Sequence, residues 1–387
     1  MRIAVIGIRG IPGRYGGFET FVEHLAPSLV LGGHEVEVFN RAHHRWQGSR
    51  FHGVRITTLP TVKNKFLDTF VHSFLSLVHA TLRRNPPDIV LLCNVGNSPL
   101  AWIPRTRGIP VVLNVDGLEW KRAKWPLIAK WYLQWCERIA IITATRLVTD
   151  SSVVRKYYLA TYGTETSLIL YGAEAYEGEP KADEAFLARL GLERNRYFLY
   201  VSRFEPENNA HMVIAAFKSV EREMQGWKLA VVGDAPYADG YRSRLLRLVQ
   251  DDPSIVMPGA IYGEGYFVLQ RNASAYIHGT SVGGTHPALI EGMAYGNVVL
   301  VFETPENVEV TQDSALTFVN EQTLADLLVR VVREDLSRYV TLALGRVRSE
   351  YSWDVVTGQY DSLFRSQTHE SGRVLDDRSE FRPHRGK

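Results

Sequence analysis

The sequence predicts an α/β protein made of two doubly wound parallel-sheet domains. Three observations lead there. At 387 residues the chain exceeds what one hydrophobic core serves, so about two domains of 150 to 200 residues are expected. Short runs rich in Val, Ile and Leu recur between longer amphipathic stretches, the pattern of strands alternating with helices in a parallel sheet. The alternation is interrupted once, between Ala173 and Glu193, by a polar segment that carries Pro180 and several acids, and then restarts.

In the first half, strands are expected at Ile3 to Ile8, Glu35 to Phe39, Val54 to Leu59, Asp88 to Cys93, Pro110 to Asn114, Arg146 to Thr149 and Ser167 to Tyr171. In the second half they are expected at Tyr197 to Ser202, Lys228 to Val232, Ser254 to Met257, Ala275 to His278, Val298 to Phe302 and Ala315 to Val319. These set the domains at 1–175 and 190–350, followed by a helix over 351–366 that returns toward the first domain. Residues 367–387 are polar without apolar periodicity and are expected to be unstructured.

Composition narrows the partners. An apolar content of 45% with 22% charge is that of a soluble globular protein, and a net charge of +2 gives no general attraction to nucleic acid. Two cysteines, Cys93 and Cys136, make neither a disulfide framework nor a metal-ligand spacing, which suits a reducing compartment. The apolar run before Arg9 is too short for a secretory signal, and no stretch approaches 18 apolar residues. A cytoplasmic protein is expected.

The first strand runs into GIRGIPGRYGGFET, Gly7 to Thr20, and then into the helical positions Phe21, Val22, Leu25 and Leu29. A glycine-rich turn at a helix start exposes backbone amides with the helix dipole behind them and lets an anion come close. Phosphate contact at Gly16 and Gly17 is one reading; a long turn merely shaped by glycines is the other. Gly7, Gly10 and Gly13 are spaced by three, so the dinucleotide G-x-G-x-x-G is absent, no P-loop lysine follows, and NAD is not expected.

The second half carries the sharper signal. Its first strand ends in RFEPENN, Arg203 to Asn209, which puts a guanidinium where ligands of open parallel sheets gather. A surface ion pair of Arg203 with Glu205 or Glu207 is the alternative. Strand AYIH then leads into GTSVGGTHPALIEGMAYG, Gly279 to Gly296, where Pro287 suits the first turn of a helix. The amides of Gly284, Thr285 and His286 would point outward at that helix start. Glu291 lies one turn inward among Leu289, Ile290, Met293 and Ala294, placed to accept hydrogen bonds from vicinal hydroxyls.

These motifs resemble the retaining glycosyltransferases of the GT-B group known as family 4, over nearly the whole chain. IGIRGIPGRYGGFETFVEHLA, NVDGLEWKRAKW, SRFEPENN and GGTHPALIEGMAYG resemble, more narrowly, the subgroup containing bacterial polysaccharide rhamnosyltransferases. The resemblance implies two Rossmann-like domains facing each other across a cleft, the first holding the acceptor and the second a nucleotide diphosphate sugar. It implies that Gly16 and Gly17 meet the donor phosphates, Arg203 neutralises the diphosphate and Glu291 holds the pentose. It also implies a lipid-linked saccharide acceptor, L-rhamnose from dTDP-rhamnose as donor, and retention of configuration.

Two positions depart from the family pattern. Asn208 stands where the wider family has a lysine five residues after the arginine, so Lys121 or Arg122 is a candidate for the missing charge. Gly283 stands where the family has a glutamate eight residues before Glu291, so the donor-sugar contacts differ. A less polar, 6-deoxy sugar fits that loss.

Departure of a diphosphate requires its charge to be stabilised. No Asp-x-Asp occurs in the chain, so Arg203, helix amides and basic side chains are expected to do this without a metal or other cofactor. On the acceptor side, Asn114 to Trp125 offers Asp116 and Glu119 as acids and Trp120 as a ring for stacking on a sugar. Asp116 is a candidate base or sugar-orienting group; alternatively it caps the next turn while Glu119 pairs with Lys121 or Arg122. Two basic and aromatic stretches, Lys63 to Arg84 and Trp125 to Arg138, suit an anionic bilayer surface at the inner face of the membrane, but equally suit helices packed on a sheet. The rival functions are a nucleotide-sugar epimerase of the same fold, a transferase using a UDP- or GDP-sugar, a nucleotide-dependent oxidoreductase, and a non-catalytic binding protein.

Overall fold

The computed structural model describes residues 1–380 apart from 14–15, 63, 65–66, 122–124, 177–182, 235–238, 251 and 283–284, with side chains described to residue 370. Two compact units result. The first runs from Met1 to Trp120, resumes to Leu170 and takes up the chain again at Trp353; the second spans Tyr171–Ser352 and includes Lys121.

The first unit is built on eight strands, β1 (Arg2–Ile6), β2 (Glu35–Arg41), β3 (Arg50–Phe51), β4 (Val54–Leu59), β5 (Ile89–Cys93), β6 (Val111–Asn114), β7 (Arg146–Thr149) and β8 (Ser167–Leu168). They lie in the order β3-β4-β2-β1-β5-β6-β7-β8, all pairs parallel except β3 on β4. Strands such as IVLLC and VVLN are buried at every residue because helices cover both faces, which is why they read as unbroken apolar runs. The second unit has β9 (Tyr197–Val201), β10 (Lys228–Val232), β11 (Ile255–Gly259), β12 (Ala275–His278), β13 (Val298–Phe302) and β14 (Leu316–Phe318). Their order is β11-β10-β9-β12-β13-β14, parallel throughout.

Every strand expected from the sequence is present, displaced by a few residues at most. The two-residue β3 is too short to show any periodicity and was not expected. Both sheets are wound outward in two directions from a central pair, β1 and β5 in the first and β9 and β12 in the second. Where winding reverses, the connections leave on opposite faces and a crevice opens outside the carboxyl ends. Both glycine-rich segments begin at such ends.

The last helix, Trp353–Glu380, belongs to the first unit. It packs on helix Gly17–Leu31, with Tyr360 against Phe21 at 5.4 Å between ring centroids and Trp353 stacked on His24 at 4.7 Å. Tyr360 and Phe364 are fully buried. The helix also runs further than its apolar periodicity: Gln367 is buried and the Thr368 hydroxyl donates to the Phe364 carbonyl at 3.0 Å. The expectation of unstructured chain from 367 is corrected over 367–380. The chain passes into the second unit beside the place where it leaves, since Ala173 N donates to the Tyr351 carbonyl at 2.7 Å.

Among the described residues, three buried histidines are held below their ordinary range. Desolvation outweighs the attraction of Asp361 at His34, and burial pushes His72 down to about 4 and His278 to about 3. A buried histidine that refuses a proton its unfolded form accepts stabilises fully above the ordinary 6.5 and loses that contribution as pH falls toward the depressed value. Urea midpoints should therefore decline from pH 7 to pH 5, and His72→Gln should flatten the decline by up to about 1.4 kcal/mol per pH unit. Replacing Phe364 by Ala should cost about 3–5 kcal/mol in the same assay, because it empties a site sealed on all sides.

Candidate functional site

In the second unit, the loops leaving β9 and β12 are bonded to each other at the carboxyl edge. Ser281 donates to the Glu207 carbonyl from its amide at 2.9 Å and its hydroxyl at 2.8 Å, and Asn209 Nδ2 donates to the Gly279 carbonyl at 2.9 Å. A methyl group on Gly279 would stand 2.7 Å from the Asn208 carbonyl, so the approach of the two loops requires glycine there.

Arg203 projects from this edge with its side chain 46% exposed, Nη2 3.3 Å from the buried Glu205 carboxylate. The ion pair offered as an alternative does form. Because a guanidinium has five N–H donors, one carboxylate contact leaves capacity for an anion. Asn208 is turned the other way. Its Nδ2 donates to the Arg203 carbonyl at 2.7 Å, and its own carbonyl accepts the Tyr200 hydroxyl at 2.6 Å. It therefore shapes the turn that presents Arg203 instead of reaching outward to a donor.

Helix Pro287–Ala294 begins as expected, with Pro287 at its first position and His286 extended before it at φ −96°. Thr285 is buried, and the His286 ring lies 5.1 Å from that of His278. Gly283 and Gly284 lie outside the described residues. Glu291 is half-buried, and its Oε2 accepts the Tyr266 hydroxyl at 2.5 Å while Gln270 Nε2 donates to the Tyr266 oxygen at 3.0 Å. Burial raises the Glu291 carboxyl above its usual range, opposed by the Tyr266 hydrogen bond. A carboxylate so fixed has one oxygen oriented by protein and accepting capacity left for hydroxyls. Neither Tyr266 nor Gln270 announces itself in the sequence; their i, i+4 spacing on helix Glu264–Asn272 is the sole local signal.

In the first unit, the glycine-rich turn after β1 is held by side chains of its own neighbourhood. Arg9 N donates to Glu19 Oε1 at 2.9 Å, Gly13 N to Glu23 Oε2 at 2.7 Å and Ile11 N to Asn40 Oδ1 at 3.0 Å. A methyl group on Gly16 would stand 2.1 Å from Glu19 Oε2. Carboxylates thus occupy the loop amides of Arg9 and Gly13, and Glu19 stands beside Gly16 at the helix start where Gly17 follows. Gly7, at φ 103°, lies so near the Cys93 carbonyl that no side chain fits.

The acceptor candidates gather past β6. Asn114, its last residue, accepts the Asp116 amide at Oδ1 (3.0 Å) and donates Nδ2 to the Tyr360 hydroxyl (2.9 Å). Asp116 is half-exposed and adopts φ 60°, a left-handed conformation that aspartate tolerates better than most residues. Glu119 accepts Trp125 Nε1 at 3.0 Å. Trp120 is half-buried, 6.4 Å from the Tyr157 ring, and Lys121 is exposed. Arg122 lies outside the described residues. Because β1, β5 and β6 are parallel neighbours, the turns that carry Glu19 and Asp116 leave the same edge of this sheet. Arg203, Asn208, Thr285, His286 and Glu291 share the corresponding edge of the second.

Residues 1–174 match the family model described as a domain of unknown function, DUF1972, and residues 183–340 match that of the glycosyl transferases group 1. No curated protein matches the chain. Among solved structures, sucrose-phosphate synthase from Thermosynechococcus elongatus is similar at TM-score 0.77 with 18% identity, over 94% of this chain and 98% of that one. HepE of Anabaena in complex with UDP is similar at 0.75 and 15%, over 95% and 100%. A glycosyltransferase from Rickettsia africae is similar at 0.74 and 15%, over 95% and 98%. Two parallel-sheet units and these likenesses give the fold: the protein has the GT-B fold, and within its second unit residues 183–340 match the glycosyl transferases group 1 model.

Proposed function

We propose that the protein is a retaining, metal-independent glycosyltransferase that moves L-rhamnose from dTDP-rhamnose to a lipid-linked saccharide at the cytoplasmic face of a membrane, in cell-surface polysaccharide synthesis. The observation that carries the transferase reading is the pairing, on one sheet edge, of the half-exposed Arg203 with Glu291 held by Tyr266. A guanidinium and a helix start suit a diphosphate, and an oriented carboxylate suits a pentose. The neighbour HepE, solved with UDP and with UDP-glucose, supports a nucleotide-sugar donor and favours a second reading in which the base is uracil.

In this reaction the bond from the sugar's anomeric carbon to the diphosphate oxygen breaks, and a bond to the acceptor oxygen forms on the same face. The acceptor proton passes to the departing phosphate, with Asp116 orienting the hydroxyl, or passes to Asp116 itself. Arg203 offsets the charge that develops on the phosphate, together with the amides before Pro287. Asp116, held by Asn114, orients the acceptor hydroxyl or takes its proton.

Nucleotide diphosphates and their sugars should raise the melting temperature of the wild type and not of Arg203→Ala, by mass action on the folded state. A response to dTDP-rhamnose supports the rhamnosyl reading; one to UDP-sugars alone replaces it, and one to NAD alone ends the case for a transferase. Asp116→Asn should lower turnover more than about a hundredfold if Asp116 takes the proton, and only a few-fold if it positions. Activity should survive chelator; loss that magnesium or manganese restores would refute metal independence.

A further inference from the structure

We propose that helix Leu127–Thr143 is a membrane-docking surface, lying lengthwise in the headgroup layer of an anionic bilayer. The helix is apolar on two opposite faces, and the fold uses one. Leu133, Cys136, Glu137 and Ala140 are buried against the first unit. Half a turn away, Ile128, Trp131, Trp135 and Ile142 recur at steps of three, four and seven residues, 78%, 67%, 39% and 71% exposed, with Leu127 beside them at 85%. A helix on a globular protein ordinarily carries charged and polar residues on that side. Packing on the sheet explains the first stripe and leaves the second, two tryptophans included, without a role in the fold.

Charge identifies the occupant. Arg138 is exposed and falls in the apolar stripe between Trp135 and Ile142, and Lys130 is half-exposed. The one acid of the helix, Glu137, is buried and accepts the Tyr157 and Tyr162 hydroxyls at 2.9 and 2.8 Å. The outward face therefore combines indole rings, aliphatic side chains and cations with no carboxylate. That mixture suits anionic lipid headgroups above acyl chains. A second copy of the same helix would set cation against cation. Seventeen residues give a face about 25 Å long, which rests along a bilayer surface.

The other basic and aromatic stretch exposes Phe74 and Leu82 but no tryptophan. Helix Asp68–Leu82 spends Leu77 in the core and packs Phe70 and Val78 against it. Of that stretch, Lys63, Lys65 and Phe66 lie outside the described residues.

The surface stands on exposure and charge and does not depend on the transferase reading, so its test needs no substrate. The full chain should float with phosphatidylglycerol-containing vesicles at low salt and about tenfold less with pure phosphatidylcholine. Trp131→Ser/Trp135→Ser and, separately, Arg138→Glu should each reduce flotation by about tenfold while leaving the melting temperature and any nucleotide-induced shift unchanged. Absence of wild-type flotation, or equal flotation by both variants, would overturn the proposal. So would a wild-type dimer that the tryptophan variant converts to monomer without loss of flotation, which would give the stripe to a second copy of the chain.

Discussion

The first unit depends on the side chain of Asn114. Its amide is buried at the carboxyl end of β6 and bonds in two directions, to the hydroxyl of Tyr360 and to the backbone of Asp116. One side fixes a helix contributed by the end of the chain; the other fixes the left-handed turn that presents a candidate acceptor group. Its backbone carbonyl also accepts Asn94 N at 3.0 Å, which ties the turn after β5 to the same point. An amide supplies an acceptor and two donors in one plane, so few other side chains could serve these partners at once. A hydrogen bond inside a protein is costly to break with one partner left buried, which is what makes such a junction rigid.

The second unit achieves its edge by backbone proximity. Loops from β9 and β12 touch through main-chain and short side-chain groups, and glycine at 279 lets them close. Asn208 and Glu205 are consumed in shaping that turn, which leaves Arg203 as its outward cation among the described residues of RFEPENN. Glu291 is oriented from the opposite side by a tyrosine one helix away. At the first edge Glu19 and Glu23 accept loop amides, whereas the second combines Arg203 beside Glu205, a helix start and Glu291 held by Tyr266.

Much of this was legible in the sequence. Parallel strands buried on both faces are continuous apolar runs, so β1, β5, β9 and β12 and their order of appearance could be read directly. Arg203 and Glu291 stand out as candidates because they sit at fixed offsets from a strand end and a helix-start proline. What escaped depends on contacts distant in sequence. Tyr360 lies 246 residues from Asn114, and Tyr266 lies 25 from Glu291; no periodicity links them. The glycine-rich turn shows a limit of a local kind. Backbone amides invite an anion, but the sequence does not say whether the anion is a ligand or a neighbouring glutamate, and in the structure Glu19 and Glu23 stand there.

The return of the chain to its first unit at Trp353 has a consequence for synthesis. Phe21 and Asn114 emerge from the ribosome more than two hundred residues before Tyr360 and Phe364, which complete their surroundings. The second unit, by contrast, lies almost wholly in the single stretch Tyr171–Ser352, which has been made before Trp353 emerges. The half that is translated first is therefore finished last, and until then an apolar groove along helix Gly17–Leu31 stays open to chaperones and to aggregation.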